Sequence, residues 1–119
     1  MTFMPDFELK HVGIYTKDKE EMKQNAEVFA EMFNLPIRAR DTETFCGNVT
    51  EFLLREIGPG EHGHLAISTS DVAGAVEWLA AKGVKTRPGT EKYNDEGKLF
   101  FVYLEPEFCG FTIHLAAKD

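Results

Sequence analysis

Three histidines and one glutamate stand at related positions in the two halves of the chain. His11 and His64 each lie at the start of a short, mainly apolar segment, and Glu51 and His114 each lie in a segment near the end of a half. Imidazole nitrogens and carboxylate oxygens are the ligands that divalent transition metals prefer. A lone histidine on a strand is more often a packed or surface group than a ligand. The four together therefore form a candidate metal site only if the fold brings them to one face.

An internal repeat relates the segments that carry two of these histidines. The segment beginning at His64 repeats the segment beginning at His11 at a spacing of 53 residues. The matched pairs are His11 with His64, Ile14 with Ile67, Thr16 with Thr69, and Asp18 with Asp71. Each copy predicts a strand that ends at the N-cap of a helix. The repeat predicts two copies of one module.

The first half predicts the order βαβββ. Asp18 followed by Glu21 is typical of a capping box, and Asn34 followed by Pro36 is typical of a helix end. The predicted elements are a strand over 7–15, a helix over 19–33 and strands over 37–40, 44–46 and 49–55.

The second half predicts the same order. Its elements are a strand over 64–69, a helix after Asp71 that stops at Gly83, and strands over 84–87, 99–104 and 111–116. Phe100, Phe101 and Tyr103 are assigned to the core, although one face of their strand is able to line a pocket. Gly58-Pro59-Gly60 breaks regular structure and links the modules.

The fold class expected is α+β, with paired βαβββ modules forming a curved eight-stranded cup. We expect a single domain over 1–119, with module one at 7–57, a linker at 58–62 and module two at 63–117. His62 has no partner in the repeat and is assigned to the surface.

Charge and composition exclude several kinds of partner. A formal charge of −7 disfavours nucleic acid and anionic membranes, which require clustered lysine and arginine. The two cysteines, Cys46 and Cys109, have no metal-type spacing and are expected to be reduced. The acidic N-terminal stretch does not resemble a signal peptide, and no apolar run has the length of a membrane span. We expect a cytoplasmic protein with a small-molecule partner.

The pattern resembles the vicinal-oxygen-chelate superfamily, which includes glyoxalase I, bleomycin-resistance proteins and extradiol dioxygenases. The resemblance covers most of the chain, and its carriers are His11-Val12-Gly13-Ile14, Glu51 within 49–52, Gly63-His64-Leu65-Ala66-Ile67 and 110–115. In glyoxalase-like members the ligands at these four strand positions are commonly His, Glu, His and Glu. The resemblance thus implies a divalent ion, with Zn, Ni, Fe and Mn as candidates, held by His11, Glu51, His64 and His114. The last position departs from the pattern.

The function implied by the resemblance is that of a glyoxalase-like metalloenzyme acting on a small oxygenated substrate. Its isomerase or lyase chemistry would pass through a metal-bound enediolate, with Glu51 or His114 as the base. Because the usual last-strand carboxylate is absent, the standard assignment of that base does not transfer directly.

Two other interpretations stay open. A metal-free small-molecule binding protein of the bleomycin-resistance type would use the same cup. The closing segment that contains His114 also resembles, more weakly, an accessory domain fused to bacterial keto-deoxy-phosphogluconate aldolases. An extradiol dioxygenase is less favoured, because those enzymes use two histidines and one carboxylate around iron.

Since a half-open cup exposes apolar surface, we expect a homodimer.

Overall fold

A computed structural model describes residues 3–55 and 58–118 of the chain. The described elements, in chain order, are β1 (Glu8–Thr16), α1 (Lys19–Phe33), β2 (Ile37–Ala39), β3 (Glu43–Cys46), β4 (Thr50–Leu54), β5 (Gly63–Thr69), α2 (Val72–Ala80), β6 (Lys92–Tyr93), β7 (Leu99–Phe108) and β8 (Phe111–Ala117). The order βαβββ occurs twice, as the repeat predicts.

All eight strands form a mixed sheet in the order β2-β3-β4-β1-β5-β8-β7-β6. Within each half the first strand lies parallel to the last, since β1 pairs with β4 and β5 pairs with β8. The two first strands pair antiparallel at the centre of the sheet. The two halves therefore have mirrored strand orders about the β1–β5 pair, and the predicted α+β fold of paired modules is confirmed.

Both helices pack against the same face of this sheet. Met22 and Ala26 of α1 are buried against Phe52 of β4, and Val72 of α2 is buried against Leu115 of β8. Burying one such aliphatic or aromatic side chain contributes roughly 1.5–3 kcal/mol. The opposite face is left for the polar residues of the central strands. No helix in the described ranges is both long and apolar enough to cross a membrane.

The predicted helix caps are present in both modules. The Asp18 carboxylate accepts a hydrogen bond from the Glu21 backbone N–H at 2.8 Å, and Asp71 accepts one from the Gly74 N–H at 3.0 Å. Asn34 ends α1 in the left-handed conformation, with φ 53°. These aspartates therefore satisfy helix N-termini, as the sequence predicts.

Two predicted elements of the second module are wrong in extent. Residues 84–87 form one isolated bridge, between Thr86 and Leu104, instead of a strand. The two-residue β6 that follows pairs with β7 and completes the module. The strand predicted over 99–104 continues to Phe108, because β7 passes Pro106 through a register shift and pairs again with β8.

Residues 58–62 connect the modules through hydrogen bonds to both. The Tyr15 hydroxyl donates to the Pro59 carbonyl at 2.7 Å, and the Thr112 hydroxyl donates to the same oxygen at 3.1 Å. The backbone N–H of His62 donates to the carbonyl of Gly110 at 2.8 Å, while its ring is exposed, as expected for a surface residue. The predicted end of module one, residue 57, lies outside the described residues.

Gly63 makes the closest backbone approach at the centre of the sheet. Its φ is +152°, and a Cβ at this position would lie 1.8 Å from the carbonyl oxygen of Gly13. A side chain here would force apart the β1–β5 pair, on which both modules depend.

We therefore expect Gly63→Ala to lower the free energy of unfolding by more than about 3 kcal/mol, measured by urea denaturation. Gly83→Ala is the matched control, because Gly83 also has positive φ but none of the described residues comes within 4 Å of an added methyl group. The control substitution should lower the free energy of unfolding by only about 1 kcal/mol. Equal losses in the two variants would contradict the steric role of Gly63.

Candidate metal centre

The strand register brings the four candidate ligands to the sheet face opposite the helices. Residues paired directly across neighbouring strands project to the same face. Gly13 on β1 pairs with Glu51 of β4 on one side and with His64 of β5 on the other. Ala66 on β5 likewise pairs with His11 of β1 and with His114 of β8.

A β-bulge at Lys10 lies directly before His11 on β1. On β1, Leu9 pairs with Ile67 and His11 pairs with Ala66, so two steps on β1 match one step on β5. Lys10 is the extra residue. Since side chains alternate along β5, Leu9 and His11 project to opposite faces although they are two residues apart. His11 keeps the regular register of Val12 and Gly13, so without the bulge Leu9 would share its face.

Three ligand atoms of the site form a compact triangle. Glu51 Oε1 lies 3.0 Å from His64 Nε2 and 3.4 Å from His11 Nε2. The Nε2 atoms of the two histidines are 3.3 Å apart. His114 belongs to the same cluster, because His11, His64 and His114 each offer a ring nitrogen and these atoms all lie within 4.8 Å of one another.

The size of this triangle fits the first coordination shell of a small cation. Zinc binds imidazole nitrogen and carboxylate oxygen at about 2.0–2.2 Å, so two ligand atoms of a tetrahedral site are separated by about 3.3 Å. The three measured separations are 3.0, 3.3 and 3.4 Å. His11, His64 and Glu51 are therefore spaced as three ligands of one ion.

Several buried polar atoms of the cluster have no hydrogen-bond partner. His64, His114 and Glu51 are only 4%, 5% and 7% exposed. Oε1 of Glu51 and Nδ1 of both histidines lack a partner within the described residues. Although Glu51 Oε1 is close to His64 Nε2, the two atoms do not meet hydrogen-bond geometry. A buried polar atom without a partner costs about 1–3 kcal/mol, and coordination of a cation by Oε1 would offset its share of that cost.

Burial favours the neutral form of two of the imidazoles, because it lowers the pKa of His114 and of His11. Burial, with the neighbouring His64 and His11, lowers the pKa of His114 to about 3. Burial also lowers the pKa of His11, against the opposing effect of the Glu51 carboxylate. Only a neutral imidazole has a lone pair for a metal, so at neutral pH these residues need not lose a proton to bind one.

Gly13 fixes the position of the His64 ring. A Cβ on Gly13 would lie 2.4 Å from Cε1 and Nε2 of His64, so the ring rests directly on the glycine. The space that a side chain at Gly13 would occupy is filled by the ring itself. Any larger residue would displace the Nε2 atom from Glu51.

A cavity of about 460 Å³ opens in front of the cluster and is lined by all four candidate ligands. Phe100, Phe101 and Tyr103 of β7 also line it, so these aromatic residues belong to the cavity wall and their assignment to the core is wrong. The His114 ring lies against this wall, with its centre 4.6 Å from that of Phe101 and 5.3 Å from that of Tyr103.

Lys10 and Lys92 line the same cavity, and the sequence alone does not identify them. Neither belongs to the repeat or to a recognisable motif. The cavity position of Lys10 depends on a bulge, and that of Lys92 depends on a two-residue strand that the sequence does not predict.

The low pKa of His114 predicts how the metal-free protein responds to acid. In the unfolded chain this histidine titrates near pH 6.5, whereas in the native state it titrates near pH 3. Between these values the unfolded state binds the extra proton, so stability falls as the pH falls. We expect the free energy of unfolding of EDTA-treated protein to decrease below about pH 6.5, and His114→Gln to reduce this slope.

The control for this measurement is His62→Gln, because the exposed His62 ring makes no contact with the cluster. It should leave the slope of stability against pH unchanged. Superimposable slopes for the wild type and His114→Gln would contradict the prediction.

Comparison with known proteins gives likeness in structure alone. No protein-family model matches the chain, and no curated protein matches it in sequence. A variant of Streptomyces coelicolor methylmalonyl-CoA epimerase, solved in complex with 2-nitronate-propionyl-CoA, is 18% identical and superimposes with a TM-score of 0.66 over 94% of each chain. Mycobacterium tuberculosis methylmalonyl-CoA epimerase is 18% identical, with a TM-score of 0.63 over 93% of this chain and 87% of that one.

A hypothetical protein from Bacillus halodurans C-125 is similar to the same degree, with 17% identity and a TM-score of 0.66 over 95% of each chain. These likenesses extend over nearly the whole chain at low identity, and they agree with the paired-module sheet described above. The chain therefore has the glyoxalase/bleomycin-resistance fold.

Proposed function

We propose that this chain is a glyoxalase-like metalloenzyme that moves a proton on a carbon next to a carbonyl group of a small oxygenated substrate. The observation that carries the proposal is the triangle of His11 Nε2, His64 Nε2 and Glu51 Oε1, with separations of 3.0–3.4 Å. Glu51 Oε1 has no hydrogen-bond partner within the described residues, and the two Nε2 atoms face each other at 3.3 Å, so one cation would satisfy all three atoms.

His11, Glu51, His64 and His114 would hold a divalent ion in front of the cavity. When bound, such an ion supplies Lewis-acid polarisation of a substrate oxygen. The three histidines are neutral ligands, and the glutamate supplies the one negative charge among them. This donor set suits zinc, nickel, iron or manganese, and it does not choose among them.

Glu51 is the stronger candidate for the base. Its Oε1 faces His11 and His64, so the second carboxylate oxygen is the atom that would accept the proton. On the sequence alone, His114 is an equal candidate. Because burial lowers the pKa of His114 to about 3, its basicity at neutral pH is small, and we assign it the role of a ligand.

Tyr103 supplies a hydrogen-bond donor on the opposite wall of the cavity. Burial, followed by the Glu51 carboxylate, raises the pKa of its phenol, so the hydroxyl stays protonated at neutral pH. A protonated phenol lining the cavity is able to donate to a substrate oxygen that gains negative charge during proton transfer.

The structural neighbours give independent support for proton transfer. Their names describe epimerases of methylmalonyl-CoA, a reaction at a carbon next to a carbonyl group. This reaction belongs to those proteins, and at 18% identity it comes to the present chain only as a proposal. It favours an isomerase over a metal-free binding protein or an aldolase accessory domain.

Two further expectations accompany the proposed function. We propose a homodimer, supported by exposed large apolar side chains that include Phe33, Ile37 and Phe108. We also propose a cytoplasmic location, supported by two free cysteines.

Metal binding is the first experimental consequence of the proposed function. We expect protein purified without an affinity tag and dialysed against zinc to retain one ion per chain, measured by inductively coupled plasma mass spectrometry. His64→Ala and His114→Ala should each weaken binding by more than the roughly 10–100-fold that loss of an outer-shell group causes.

His62→Ala is the matched control, because His62 lies outside the cluster and is exposed. It should keep wild-type metal content. A wild-type protein that retains no zinc, nickel, iron or manganese would contradict the metalloenzyme and leave the binding-protein function.

Proton exchange tests the base. In D₂O the metal-loaded enzyme should catalyse exchange of the C–H next to the carbonyl of a 2-oxo acid, followed by proton NMR. Glu51→Gln keeps the shape of the side chain but removes the basic oxygen, so exchange should fall by roughly 10²–10⁴-fold. Exchange that survives in Glu51→Gln at equal metal content would exclude Glu51 as the base.

A further inference from the structure

Two β-bulges, one on β1 and one on β7, each add a residue to the lining of the cavity. The first is the bulge at Lys10 on β1. The second is at Phe100 on β7, because Tyr93 pairs with Leu99 and Lys92 pairs with Phe101. Adjacent residues of a regular strand project to opposite faces, so a cavity is normally lined by every second residue.

At both bulges two consecutive residues line the cavity. Lys10 and His11 do so on β1, and Phe100 and Phe101 do so on β7. Bulges are frequent beside functional sites because they redirect side chains. On β1 the bulge adds a cation beside a candidate metal ligand, and on β7 it adds an aromatic side chain.

The aromatic wall supports a second cation. The Lys92 ammonium lies 4.6 Å from the centre of the Phe101 ring, which is within the range of a cation–π contact. Phe101 in turn lies against His114, with ring centres 4.6 Å apart. Lys92, Phe101 and His114 therefore form a row from the exposed rim of the cavity to the buried cluster.

The charges around this cavity differ from those of the chain as a whole. The chain carries a formal charge of −7, yet the cavity is lined by two lysines and two glutamates, Glu43 and Glu51. Glu51 belongs to the candidate metal centre. Glu43 accepts a hydrogen bond from the Thr42 hydroxyl at 2.8 Å. Both lysines also lower the pKa of His114, which agrees with their position in the cavity beside it.

We propose that Lys10 and Lys92 bind an oxyanion at the rim of the cavity, so that the substrate of the proposed enzyme is a small organic anion. The anionic group is a carboxylate or a phosphate, and either would pair with two ammonium groups. The uncharged part of the substrate would then extend along Phe101 towards the buried cluster. This inference rests on the proposed function for the identity of the site, but the anion subsite itself depends only on the cavity and its lysines.

The test uses calorimetric titration of zinc-loaded protein with pyruvate, methyl pyruvate and inorganic phosphate. Pyruvate and methyl pyruvate share the carbonyl group, and only pyruvate has the charge. In the double variant Lys10→Gln with Lys92→Gln, we expect the Kd of pyruvate to rise about tenfold or more, the Kd of methyl pyruvate to stay unchanged, and metal content to stay at the wild-type level.

The control double variant is Lys23→Gln with Lys85→Gln, which removes the same charge from residues that do not line this cavity. It should bind pyruvate as the wild type does. An equal loss in this control, or an equal loss for methyl pyruvate, would overturn the proposal, because neither result requires a local anion site. So would a wild-type Kd for pyruvate and phosphate both weaker than about 10 mM.

The remaining outcomes separate this proposal from the proposed function. If zinc binds and pyruvate affinity is independent of the lysines, the anion subsite is wrong and the metal site stands. If zinc does not bind, lysine-dependent binding of pyruvate to the metal-free protein still supports the subsite. Lysine-dependent binding that is tighter for phosphate than for pyruvate would assign the subsite to a phosphate group, and the reverse order to a carboxylate.

Discussion

The antiparallel pairing of β1 with β5 is the interaction on which the rest of the structure depends. It joins the two modules backbone to backbone, and Gly13 and Gly63 allow the close approach. The same register sets Gly13 between Glu51 and His64, and Ala66 between His11 and His114. A shift by one residue would send a whole strand of side chains to the helix-covered face and separate the cluster.

Without a bound ligand, the candidate site is energetically unfavourable. A carboxylate and two imidazoles are buried with several unpaired polar atoms, and burial suppresses protonation of His114. A protein core selected only for stability would fill these positions with apolar residues, because a buried charge without a partner is costly. This arrangement agrees with the metal-binding role proposed above.

The sequence predicts the fold well because its main signals are local and repeated. The aspartate caps, the left-handed Asn34 and the spacing of 53 residues each have a physical cause that acts within a few residues or recurs in both halves. The same repeat identifies His11 and His64, and the last strand of each module carries the other two candidate ligands, Glu51 and His114. The four residues come together in space because the first and last strands of each module are neighbours in the sheet.

The features that the sequence does not predict depend on the register between strands. A bulge has no strong local signal, so the sequence presents Lys10 as an ordinary strand residue that alternates with His11. Phe100 and Phe101 are predicted as core residues, because an apolar run is equally consistent with a buried strand. Val84 and Thr86 are β-branched residues that favour a strand, but the edge of β7 is shared between their segment and β6, and only Thr86 forms a bridge. These are tertiary outcomes, decided by neighbours far along the chain.

In the proposed metalloenzyme, His114 at the fourth ligand position would connect the candidate metal centre with the lysines at the rim. Two histidines and two glutamates would cancel the charge of a divalent ion, whereas three histidines and one glutamate would leave the centre with one positive charge. A cationic centre is a stronger electrophile and attracts an anionic substrate more strongly than a neutral one. Lys10 and Lys92 act in the same direction, since they add positive charge to a cavity of an otherwise acidic chain. With a metal bound, His114 would thus add positive charge to the cavity, and the lysines and the histidine would act together in the proposed anion site.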